Sequence, residues 1–356
     1  MTYRIRTVID NDGQITVRNN PRLNSSPVIV EELIDKARKF EKKCSDYSVS
    51  YVSPRKVHFN GDGKLTFIDD YGDDHTFAIS HLALNQLGSK IGVPGSYIEK
   101  CVTSGRIELA QKNINSWLSD YNGSLFIRVY DGKIRGVLTD KYSVCDSLSI
   151  LGVINEVIDQ SFYEVKGWRL DSEQFHIRLV ARDMLRVDGE DLYEGLFINS
   201  SDVGCYALTV EYGIFKQICS NGLYLPKAGG LLFQQRHRGI SWYTFYDRLA
   251  TSLLKARQLS GYAIEMIDTA RTWQCWGRTV DWRSAIEVEQ VAKRIQVKTQ
   301  LSKESTMQVI SFMREKYGTS HWGLINSITE VAKQYSLERR LELEHIAGNI
   351  LGQAKS

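Results

Sequence analysis

The sequence predicts an α+β fold: a largely antiparallel sheet core, N-terminal helical elements and a C-terminal helical block. Three observations carry this. Between Leu125 and Ser220 apolar residues alternate with period two in segments joined by short loops, the pattern of antiparallel strands. After Gly239 the apolar spacing changes to three and four residues, the helical period. No glycine fingerprint of a βαβ unit occurs in either part.

Each element follows from local pattern. The polar, proline-punctuated stretch Asn19 to Pro27 reads as a loop. From Val28 to Cys44, Val30, Leu33, Ile34, Ala37 and Phe40 share one helical face. Lys56 to Phe67 reads as a hairpin, because Asn60-Gly61-Asp62-Gly63 supplies residues that tolerate positive φ. The acidic run Asp69 to Asp74 lacks the closing glutamate of a calcium loop and reads as a solvated turn. Ser80 to Gly105 has two apolar helical faces separated by Gly92-Val93-Pro94, the outline of a helix-turn-helix. Its second helix offers no arginine or asparagine placed for base edges, so a packed helical pair is expected.

Leu125 to Tyr130 and Lys133 to Leu138 form a hairpin around Asp131-Gly132, the pairing of a type I′ turn. Cys145 to Ile158 reads as an amphipathic helix. On the following strand Phe175, Ile177, Leu179 and Ala181 share one face; His176, Arg178 and Arg182 share the other. Further strands are expected at Leu196 to Ser200, Tyr206 to Glu211 and Ile214 to Ser220. Helices are expected at Phe245 to Met266, Ser284 to Val297, Ser302 to Lys316, Trp322 to Tyr335 and Leu337 to Leu351. Pro226 to Gly239 is the main boundary. The chain thus divides into an N-terminal helix and hairpin region (1–78), a helical pair with the sheet core (79–228) and a helical region packing on the sheet (229–356).

Composition narrows the class. Hydrophobic content of 42% and charged content of 24% exclude a mostly disordered chain. No apolar run approaches the ~18–20 residues of a membrane span. Residues Met1 to Arg6 carry no apolar signal region, so a cytoplasmic location is expected. The six cysteines form no CxxC pair, which predicts free thiols; a metal cluster of Cys219, His237 and Cys275 has no support from spacing. Net charge is +3, but the part from Arg236 onward holds 18 Lys/Arg against 12 Asp/Glu. A basic C-terminal third could face a polyanion.

Phosphate-loop, zinc-protease, nucleophile-elbow and kinase motifs are all absent. Arginine and aromatic residues together do stand out. Arg236-His237-Arg238 precedes Trp242 and Tyr243, and Arg271-Thr272-Trp273-Gln274-Cys275-Trp276-Gly277-Arg278 follows. Guanidinium groups hold phosphates in fork geometry, and exposed rings stack on unpaired bases. A second basic set, Arg128, Lys133, Arg135, Arg178 and Arg182, falls on strands; on neighbouring polar faces it would form one positive surface. The sheet core could equally absorb the rings, as tryptophans are mostly buried.

Four segments carry a family resemblance. They are Gly136-Val137-Leu138-Thr139-Asp140-Lys141-Tyr142, Asn199-Ser200-Ser201-Asp202-Val203-Gly204, Ile218-Cys219-Ser220-Asn221-Gly222-Leu223 and His321 to Glu330. In this order they resemble a phage- and plasmid-encoded family, domain-of-unknown-function family 932, over roughly Ser80 to Tyr335. The resemblance implies a mobile-element origin and supplies no settled activity or assigned catalytic residues to carry over. By themselves the Asn-Gly segments read as turns.

Together these readings predict a nucleic-acid-binding accessory protein in a bacterial host, binding or annealing single-stranded DNA, with no cofactor and no metal. Arg128, Lys133, Arg135, Arg178, Arg182, Arg236, Arg238, Trp242, Tyr243, Trp273 and Trp276 would form the interface, and a homo-oligomer would add avidity. One alternative is a protein-binding module directed at a host or phage protein. Another is a metal-dependent nuclease using Asp140, Asp146 and Glu156.

Overall fold

The structure, a computed structural model, describes residues 7–9, 15–17, 29–53, 55–187, 190–216, 222–224, 230–275 and 280–353. It has the α+β architecture expected, but with two six-stranded sheets in place of one core. A two-stranded ribbon, β1 (Thr7–Ile9) and β2 (Ile15–Val17), precedes them.

The first sheet has the order β3-β7-β8-β6-β5-β4. Its strands are β3 (Cys44–Val49), β4 (Val57–Phe59), β5 (Lys64–Ile68), β6 (Asp74–Ile79), β7 (Leu125–Tyr130) and β8 (Lys133–Leu138). It therefore draws strands from both sides of residue 78. All neighbours are antiparallel except β6 and β8. Asp131 and Gly132 both have positive φ, 50° and 74°, as the type I′ turn requires. The acidic run closes β5 onto β6. Asp69 is buried there, accepting hydrogen bonds from the Tyr71 and Asp73 backbone and pairing with His75 at 2.9 Å.

Helices α2 (His81–Lys90), α3 (Gly95–Thr103) and α4 (Ile107–Ser119) cover this sheet. Ser80 caps α2 by accepting from Ala83 N–H. The packed helical pair is thus present, and its apolar residues, among them Leu84, Leu87, Ile98 and Cys101, are in the core.

The second sheet has the order β13-β12-β11-β10-β9, with β14 also on the β12 edge, and is antiparallel throughout. It comprises β9 (Tyr163–Leu170), β10 (Phe175–Val187), β11 (Glu190–Ser200), β12 (Leu208–Lys216), β13 (Gly222–Tyr224) and β14 (Leu231–Gln235). The two strands expected at Tyr206 to Glu211 and Ile214 to Ser220 are one strand through residue 216. Gly213 sits in register opposite Gly195 and makes no turn.

Helices α1 (Val30–Glu41), α5 (Ser147–Val157), α6 (Trp242–Lys255), α7 (Ser260–Thr272), α8 (Ala285–Thr299), α9 (Lys303–Phe312), α10 (His321–Ala332) and α11 (Leu337–Gln353) complete the fold. The single helix expected from Phe245 to Met266 is two, separated by a tight turn at Ala256–Leu259. Residues of α1, α5 and the C-terminal helices share one core with the second sheet.

Candidate functional site: two clefts and a buried arginine network

The strand arginines do not form the positive surface that alternation predicts. Arg128, on β7, is 1% exposed. Its guanidinium donates to both carboxylate oxygens of Asp46 (3.0 and 2.9 Å) and of Asp146 (2.6 Å each), and to the Asp202 carbonyl at 2.6 Å. Burial works against its charge, yet Asp146 and Asp46 more than offset this and its pKa is raised. Arg135 is the residue left unpaired by a bulge between β7 and β8. It is buried against the Phe40 ring, 3.5 Å from the Asp202 carboxylate. Arg178 is also buried, where it meets Glu344 of α11; it donates to Glu344 at 3.1 Å, and Arg340 holds the other carboxylate oxygen. These three are corrected from phosphate contacts to internal ion pairs. Alternation places side chains on a face, but packing from elsewhere decides whether that face meets water. Arg182 is half-exposed, 3.6 Å from Glu164, and Lys133 is half-buried beside the hairpin turn.

The arginine network ties the two sheets together, and the segments Gly136–Tyr142 and Asn199–Gly204 meet in it. Asp202 gives its carboxylate to the start of α5, accepting from Ser147 N–H (3.0 Å) and Ser147 Oγ (2.7 Å). That frees Asp146, in the N-cap position, to pair with Arg128. Burial and the neighbouring Asp146 push the Asp202 carboxyl upward. Gly136 is needed for close approach: a Cβ there would fall 2.8 Å from Val203 Cγ1. Gln86 accepts from Val137 N–H and donates to the Val203 carbonyl, both at 2.8 Å. Tyr142 Oη donates to the Asp202 carbonyl, and its ring stacks on His237 at 5.5 Å.

The arginine-aromatic cluster is exposed but divided between two places. In the first, a short antiparallel bridge between Gln274 and Ser320, with His321 N–H donating to the Trp273 carbonyl, fixes Trp273 at the end of α7. The indole is 44% exposed and borders a cleft of about 600 Å³. Arg294 and Lys298, four residues apart on α8, line the same cleft and are exposed. His321, whose ring is 6.5 Å from Trp273, and the apolar residues Leu324, Ile328 and Ile350 complete it. Burial holds His321 below its usual pKa and pushes the Cys275 thiol up to about 12, so the cleft contains no thiolate at neutral pH.

In the second place, Tyr142 pairs with Arg238 through an isolated β-bridge. Arg236 and Arg238 are exposed, as are Trp242 (44%) and Tyr243 (81%) in the first turn of α6. Trp242 stacks one face on Phe245 at 5.4 Å. Arg238 lines a separate polar cleft of about 650 Å³. Trp276 and Cys219 lie outside the described residues.

Composition and spacing did not single out Arg294 and Lys298. Their i, i+4 spacing beside the tryptophan-rich segment is a sequence signal, but an ordinary one on a surface helix. Among the described residues no group of three His, Cys, Asp or Glu side chains is placed to hold a metal ion. Asp146, one of three carboxylates considered for a nuclease, is bound to Arg128. No helix among the described residues is long and apolar enough to cross a membrane. No family model, curated protein or solved structure matches the chain.

Proposed function

We propose that the protein binds single-stranded nucleic acid, with the Trp273 cleft at the centre of the interface. The observation that carries this reading is an exposed indole lining one cleft with two exposed cations, Arg294 and Lys298. A base stacks on such a ring whatever its identity, and the helix-borne cations meet the adjoining phosphates. The apolar floor of Leu324, Ile328 and Ile350 suits the face of an unpaired base. Tyr243 and Trp242, with Arg236 and Arg238 before them, supply a second stacking platform. The buried Arg128, Arg135 and Arg178 take no part, so the interface centres on the C-terminal part of the chain.

The resemblance to a phage- and plasmid-encoded family agrees with such a role in mobile-element replication or recombination, within a bacterial host cell. Repetition of a modest site along a strand, by oligomerisation, would raise affinity. Fluorescence anisotropy with single- and double-stranded oligonucleotides tests the reading. Preference for single strands is expected, with affinity falling steeply between ~50 and ~200 mM salt. Absence of oligonucleotide binding at low salt would leave the exposed rings as a contact for another protein.

A further inference from the structure

We propose that the polar cleft between the two sheets is a binding site for a phosphate monoester of nucleotide size, distinct from the Trp273 cleft. Three cations from distant parts of the chain converge on it: Lys90 at the end of α2, Lys141 after β8 and Arg238 before α6. Asp140 is the one carboxylate among the lining residues. None of the three cations makes an ion pair with a described carboxylate. Elsewhere this protein matches its buried cations closely, Arg128, Arg135 and Arg178 each to an aspartate or glutamate. Lys90 is half-buried without such a partner. Burial alone disfavours its charge, and an anion in the cleft would restore it.

The remaining lining suits the rest of the ligand. Tyr121 and Tyr142 present ring surface, and Asn122 presents an amide that both donates and accepts. About 650 Å³ exceeds what a bare phosphate fills and lies in the range of small-molecule sites. The site is rigid on one side, because Tyr142 is clamped between the Asp202 carbonyl and the His237 ring. The chemistry is binding; no bond-breaking step is assigned.

Isothermal titration of the full chain with AMP, ribose 5-phosphate and adenosine is the test. AMP is expected to bind and adenosine not to, because the phosphate supplies the charge contact. Ribose 5-phosphate binding as tightly as AMP would identify a sugar phosphate as the occupant of the same site. Lys90→Met and Arg238→Gln should each weaken binding about tenfold, the size of one lost charge-assisted hydrogen bond. Lys141→Gln, at an exposed position, should weaken it less and keeps the test intact should Lys90→Met fail to fold. No heat with either phosphate ester overturns the proposal, and so does binding that survives all three cleft substitutions. Loss of AMP binding in Lys90→Met and Lys141→Gln, with oligonucleotide binding intact, would separate this site from the strand cleft.

Discussion

Three arginines on the sheets and four cations of the C-terminal part have opposite fates in this molecule. Arg128, Arg135 and Arg178 lie inside and are spoken for by Asp46, Asp146, Asp202 and Glu344. Arg294 and Lys298 on α8, and Arg236 and Arg238 in the segment before α6, lie outside. A guanidinium on a strand is positioned as firmly as its backbone, so it can join several carboxylates in a fixed network. A cation on an exposed helix face keeps much of its hydration. The difference teaches that counting arginines on a polar strand face measures potential, not accessibility.

The sharpest way to break this comparison is Arg128→Met. The substitution strands Asp46 and Asp146 and removes the link to the Asp202 carbonyl. Urea unfolding should show a loss of about 3–5 kcal/mol, the cost of breaking a buried pair by removing one partner. Arg182→Gln, half-exposed on the second sheet, should change stability by less than about 0.5 kcal/mol. Equal effects would mean that burial does not separate the two classes.

Next in size is Trp273→Ala. Stacking on one base contributes about 1–3 kcal/mol, so oligonucleotide affinity should fall roughly tenfold or more in anisotropy. Urea midpoints should scarcely move, since the ring is half in solvent. An unchanged affinity would remove the cleft from the interface.

Arg294→Gln and Lys298→Gln should act more gently and differently. Each should reduce the slope of log affinity against log salt by about 0.7, the value for one phosphate contact on a single strand. Parallel substitution of Lys133 should leave the slope as it is. Equal slopes for the helix and strand variants would erase the distinction between the two regions.

The smallest effect concerns pH. Burial holds His176 and His237 below the ordinary histidine value of about 6.5. As pH falls through that value the unfolded chain takes up protons before the folded one. Their stabilising contribution is therefore complete above about 6.5 and declines as pH drops toward the depressed folded values. Thermal midpoints between pH 7.5 and 5 should follow this decline, and His176→Gln should flatten it.

Much of the fold was legible because its signals are local. Asp131-Gly132 specifies its turn through the φ values those residues tolerate, and the hairpin forms where expected. The helical spacing of Val30, Leu33, Ile34 and Ala37 becomes the buried face of α1. Elements with weak local signals were missed. Helix α4 was not anticipated, although Ala110, Ile114 and Leu118 form its buried face. Nor was the parallel contact of β6 with β8, which depends on a connection passing through three helices and β7.

By itself the sequence determined the α+β class, most helix positions, about half of the strands, and the grouping of arginine with aromatic residues from Arg236 onward. Those follow from side-chain period, turn chemistry and composition, which act over a few residues. Only tertiary structure decided which charges are usable. α11 arrives more than 150 residues after β10 to bury Arg178, and Asp202 reaches across from the second sheet to Arg128 and Arg135. Exposure is a property of what packs on the opposite face, and that partner is brought in by the chain's long-range path.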